Sequence, residues 1–156
     1  MSNYIVGSVP LTAEQISSLP ILLENIKSKS VLGFREIPAS SLADEYIPFD
    51  YEEGFLFYIS DDNRSDLSEY LLYEEDMSPD FDCGLPTRLQ DRLALINRQV
   101  EIILEETQAS YLLLWISVID QLERTTEVKF SEFLNHLENE FSLRGIPCTL
   151  YKIDAS

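Results

Sequence analysis

Two short runs, residues 54–60 (GFLFYIS) and 111–119 (YLLLWISVI), are almost wholly apolar and rich in β-branched and aromatic side chains. Runs this short and this apolar fit strands covered on both faces better than helices with one wet side. Each therefore needs a layer above and a layer below. A chain of 156 residues has room for one such sheet and one core, so the expectation is a single domain over 1–156.

The other elements can be read around these two runs. Residues 4–9 form a first strand closed by Pro10. Thr12 and Gln15 have capping-box spacing, with Leu11 and Ile16 placed as a hydrophobic staple, and the helix they open is interrupted at Pro20 and resumes through Ile26. Residues 31–37 form a second strand. Ser65 is placed to cap a short helix with Leu67, Tyr70 and Leu71 on one face, and 74–86 is a loop.

Thr87 and Gln90 repeat the capping-box spacing ahead of a longer helix whose Leu89, Leu93, Ile96, Val100, Ile103 and Thr107 share a face. Leu95 and Ile102 lie on its opposite side. They predict a second covering surface, supplied either by this chain or by a second copy in a homodimer. Phe130, Phe133, Leu134, Leu137 and Phe141 build another helix ending at Gly145, and a last strand follows over 146–153. Because strand 111–119, this helix and the last strand succeed one another, the expected arrangement is a right-handed parallel crossover with Pro147 opening an edge strand. The predicted fold class is α/β, a mixed sheet of about five strands with about four helices packed on it and a C-terminal β-α-β crossover.

Charge narrows the function. The net charge is −17 in a chain that is 45% hydrophobic, which indicates an acidic folded protein and not a disordered one. Half of the 28 carboxylates lie between residues 44 and 82, where Arg64 is the sole basic residue and nine of the sixteen Phe and Tyr also fall. Such a surface repels nucleic acid and anionic lipid and complements a basic protein. Cys83 and Cys148 lack metal-ligand spacing, the N-terminus has no signal-like segment, and no apolar run is long enough to span a bilayer. Together these predict a cytoplasmic protein with reduced thiols and no membrane contact.

No catalytic pattern emerges. A calcium loop begun at Asp61 meets Asp66 where glycine is needed and Leu72 where the closing glutamate belongs. Looser divalent sites would draw on Asp61, Asp62 and Asp66 or on Asp76, Asp80 and Asp82. His136, the single histidine, falls off the apolar face of its helix, so a Cys83–His136 dyad is a weak reading beside a surface histidine and a loop cysteine. Glycine-rich phosphate loops and the nucleophile-elbow pattern are absent. The chain is read as a non-enzyme without cofactor or metal.

Carboxylates steer a basic partner to a surface, and aromatic anchors slow its departure. The candidate contacts are Tyr46, Asp50, Tyr51, Glu52, Glu53, Asp61, Asp62, Asp66, Glu69, Tyr70, Tyr73, Glu74, Glu75 and Asp76. The expected function is that of an acidic inhibitor of the immunity-protein or antitoxin type, masking the basic cleft of a nucleic-acid-acting toxin or nuclease. A DNA-mimic inhibitor is the first alternative, and a small carboxylate-based or metal-binding enzyme the second.

Overall fold

The two apolar runs are interior strands of one mixed sheet. The computed structural model describes residues 2–38, 40, 47–118 and 121–156. Its elements are β1 (Asn3–Pro10), α1 (Ala13–Ser17), α2 (Leu19–Lys29), β2 (Gly33–Ile37), β3 (Gly54–Ser60), α3 (Leu89–Thr107), β4 (Tyr111–Val118), β5 (Arg124–Lys129), α4 (Phe130–Arg144) and β6 (Thr149–Asp154). The strand order is β2-β3-β1-β4-β6-β5, antiparallel throughout except for the parallel β5–β6 pair.

Both faces of the sheet are covered, unequally. Ile5, Val9, Phe57, Ile59, Leu114, Ile116 and Tyr151 face the helices in a large core that includes Ile26, Leu93, Ile96, Ile103 and Phe133. On the other face Val6, Ile37, Leu56, Tyr58 and Trp115 form a smaller core, against which Ile47, Phe49 and Leu122 pack. The β1–β3 contact explains Gly7. A Cβ at this position would run into the Phe57 ring and the Leu113 carbonyl, so only glycine lets that ring lie flat on the backbone. Helix α3 touches both α2 and α4. Ile102 is fully buried inside the chain and Leu95 partly so, so the second covering of this helix comes from the protein's own core.

Four sequence expectations are corrected. The capping box at Thr12 and Gln15 is present, but the one expected at Thr87 is not: Arg88 occupies the cap position without a side-chain bond, and Asp76 Oδ1 accepts from the Leu89 amide at 2.9 Å. No helix starts at Ser65. The Tyr70 and Leu71 amides donate to the two oxygens of Asp61, at 3.2 and 2.9 Å, instead of to carbonyls one turn back.

Strand β2 begins at Gly33 instead of residue 31, because Gln99 Oε1 takes the amides of Val31 and Leu32. Finally, the C-terminal crossover starts from β5, not from β4. The strands β4 and β6 are antiparallel neighbours, and β5, a strand the sequence reading missed, is the parallel partner of β6 and takes the edge. Its sequence RTTEVK buries only Val128 and so shows no apolar run. Among the described residues no helix is long and apolar enough to cross a membrane.

Candidate protein-binding face

The acidic belt straddles β3, and the strand divides it. Seven residues in β3 span roughly 20 Å, so Asp50, Tyr51, Glu52 and Glu53 lie at one end of the sheet and residues 61–82 at the other. The strand thus sets Tyr51 apart from Tyr70. Tyr46 lies outside the described residues.

At the first end, Tyr51 packs edge-on against Phe49, which in turn packs against Trp115. Glu52 accepts from the Tyr111 phenol, and burial together with this carboxylate pushes the phenol up to about 12. Lys152 sits 4.7 Å over the same ring. The Glu53 carbonyl accepts from Leu11. These contacts tie the 47–53 segment to the sheet.

At the second end most carboxylates turn an oxygen inward. Asp61 takes the two amides described above, Asp62 accepts from the Arg64 amide at 2.7 Å, and Asp66 pairs with Arg35 at 3.0 Å. Glu69 accepts from the Asn3 amide at 3.0 Å and Glu74 from the Ile146 amide at 3.3 Å. The segment has no regular secondary structure, so its backbone donors need other acceptors; Asp61 and Asp62 supply some of them, while Glu69, Glu74 and Asp66 tie the segment to Asn3, Ile146 and Arg35. Desolvation raises the Asp61 carboxyl above its ordinary value, an effect that exceeds the lowering by its two amide donors.

Under this segment lies Arg92, whose side chain is completely buried. Its Nη1 donates to the carbonyls of Tyr70 and Tyr73 at 2.9 and 2.8 Å, and its Nη2 to those of Glu75 and Thr87 at 2.6 and 3.2 Å. Among the described residues no carboxylate forms an ion pair with it. Burial lowers its pKa, and the fields of Asp76 and Asp61 are among the influences that oppose this. Part of the local acidity thus compensates one buried cation.

Residues 77–87 leave this anchor as a closed loop. The Met77 amide donates to the Thr87 carbonyl at 2.7 Å, Asp76 caps α3 beside it, and the turn from Ser78 returns Phe81 against Tyr70, ring centroids 5.2 Å apart. Tyr70, Tyr73 and Phe81 remain 43–49% exposed. With Asp76, Met77 and Ser78 they line a hollow of about 350 Å³. On the other side of Tyr73 a second hollow, about 390 Å³, is lined by Glu69, Leu72, Glu74, Glu75 and Ile146 among others. The carboxylates of Glu75, Asp80 and Asp82 have no hydrogen-bond or ion-pair partner among the described residues. Phe81 and Met77 were not expected at the face. Their one sequence signal is the placement of Phe81 between Asp80 and Asp82, just after Pro79.

Among the described residues no three His, Cys, Asp or Glu side chains converge as metal ligands would. Both cysteines are free. His136 packs edge-on to Tyr151 and lies 3.6 Å from Glu140, on a helix separate from the loop that carries Cys83.

No family model matches the chain, and no curated protein or solved structure does so either.

Proposed function

We infer that the protein binds a basic protein partner through the 61–82 face, and that the partner is a nucleic-acid-acting toxin or nuclease whose active cleft the face covers. The observation that carries this is the exposure of Tyr70 and Tyr73 on a backbone fixed from below by Arg92, with Phe81 returned against Tyr70 by the closed 77–87 loop. Three large rings in a flexible acidic loop would gain apolar burial by collapsing onto the sheet; here the anchored backbone keeps them at the surface. Preorganised aromatic anchors inside a carboxylate rim combine the features of a tight interface, because ordering is completed before association and charge steers the encounter.

A protein that handles polyanions presents the complementary surface, which selects nucleic-acid enzymes among basic proteins. Such an inhibitor acts in the cytoplasm beside the enzyme it restrains.

The test is affinity capture on the immobilised full chain, at low and at moderate salt, from cells of the source organism. The triple variant Tyr70→Ser, Tyr73→Ser, Phe81→Ser is run in parallel. A basic protein retained at low salt, released at moderate salt, lost by the variant and inhibited in nucleic-acid cleavage by the added chain supports the reading. Retention of no basic protein, or retention indifferent to both salt and variant, overturns it.

A further inference from the structure

We propose that the hollow between Tyr70, Tyr73 and Phe81 receives an arginine side chain of the partner. This rests on the protein-binding reading above and specifies what enters the face.

The walls of the hollow are two phenols, a phenyl ring and the Met77 thioether, with Asp76 at its margin and no cation among the lining residues. The Tyr70 and Phe81 rings touch, tilted 53° to one another, and both remain exposed, at 44% and 43%, which leaves ring surface for a further group to stack on. Residues 61–82 hold nine carboxylates against the single Arg64, and Arg64 is not part of this wall. An apolar plug would gain contact area but would strip water from nearby carboxylates without replacing its hydrogen bonds. A guanidinium satisfies both requirements: its plane stacks on aromatic faces, and its fork donates to carboxylates at the plane's edge.

The acceptors are in place. Asp76 uses Oδ1 on the Leu89 amide, which leaves Oδ2 unengaged, and Asp80 and Asp82 flank Phe81 with free carboxylates. The carbonyls of Tyr70 and Tyr73 are taken from beneath by Arg92. A second guanidinium above them is therefore met by side chains, of which the Asp76 carboxylate lines the hollow and those of Asp80 and Asp82 adjoin it on either side of Phe81. Lysine lacks the planar fork and holds its water more firmly, so it fits less well.

The chain itself offers a reporter. It has two methionines, Met1 and Met77, so methyl-labelled methionine gives two NMR signals, of which only Met77 lies in the hollow. The full chain is titrated at low ionic strength with capped glycine-X-glycine peptides in which X is arginine, lysine, citrulline or norleucine. The expected result is a saturable Met77 shift with arginine, a weaker response with lysine, and affinity lower by about tenfold or more with citrulline and norleucine. Tyr73→Leu and Phe81→Leu, which keep apolar bulk at exposed positions, should lose the arginine response with an unchanged unfolding midpoint.

Norleucine binding as well as arginine, or no peptide moving Met77, overturns the proposal. Salt-sensitive capture of a basic protein alongside either of those results would show that the protein-binding reading stands and the arginine assignment alone has failed.

Discussion

The guanidinium of Arg92, a wholly buried residue of α3 that lies beneath the 70–76 segment, donates through Nη1 to the carbonyl of Tyr73 at 2.8 Å while the Tyr73 ring is half exposed. One residue is thereby held by its backbone and offered by its side chain. The same holds for Tyr70. Because no carboxylate among the described residues pairs with Arg92, its charge is met by four carbonyl dipoles and the fields of the surrounding acids.

Replacing Arg92 by methionine should therefore remove four donors at once. The loss expected is about 3 kcal/mol in urea unfolding, since the Tyr73 and Glu75 carbonyls lose their partner and those of Tyr70 and Thr87 lose one of two. Arg92→Lys should recover part of it, because an ammonium has fewer donors and no fork. If Arg92→Met unfolds at the wild-type midpoint, the guanidinium does not anchor the loop.

Asp61→Ala should cost about 1–2 kcal/mol by orphaning the Tyr70 and Leu71 amides. Asp61→Asn, which keeps an acceptor and cannot ionise, should cost less. The Asp61 pKa is raised in the fold, so the folded chain holds this proton more tightly than the unfolded one does. Its contribution is fully present below the ordinary carboxylate range and is lost as pH rises through the raised value. Wild type should accordingly gain stability relative to Asp61→Asn as pH falls from neutrality, read from denaturation curves at several pH values. A difference that is flat with pH would contradict the desolvated carboxylate.

Asp76→Ala should lower stability by about 1 kcal/mol through loss of the distant cap on α3, whereas Thr87→Ala should have no capping effect. Equal losses at the two positions would restore the local capping box. Hydrogen exchange at the Leu89 amide gives the same comparison at one site.

At the other end of the sheet the Tyr111 phenol is held neutral up to about 12, against an ordinary 10. Stability from this group is present below pH 10 and is lost as pH rises through the folded value. The absorbance difference between wild type and Tyr111→Phe isolates its titration from that of the other tyrosines. Glu52→Gln removes the negative charge beside the phenol and should bring the ionisation to lower pH. An unchanged titration would mean that burial alone sets it.

The sequence makes legible what is repetitive and local. The interior strands β3 and β4 were readable because burial on both faces leaves an unbroken apolar run, and α3 and α4 because one face repeats with helical spacing. The box at Thr12 was readable because both partners lie within one turn. Features that depend on distant partners were hidden. Asp76 reaches Leu89 across a loop, Asp61 satisfies amides that would otherwise have begun a helix, and β5 is an exposed edge whose polar alternation resembles a linker.

The proposed face is half legible. Acidity and aromatic content single out Tyr70 and Tyr73, which the structure shows exposed, but charge summed along a chain gives no hint that a strand will part Tyr51 from them. Nor does it tell inward-turned carboxylates from outward ones. Phe81 stayed hidden because a lone aromatic in a polar loop reveals its neighbour only once the loop has closed.

The clamp beneath the face grips carbonyl oxygens, which every amino acid possesses alike. Substitutions at Tyr70, Tyr73 or Glu75 alter what the surface displays without removing an acceptor from Arg92. The loop's course is thus sequence-blind at Tyr70, Tyr73 and Glu75. A scaffold of this kind can be retuned, one side chain at a time, while its fold stays the same.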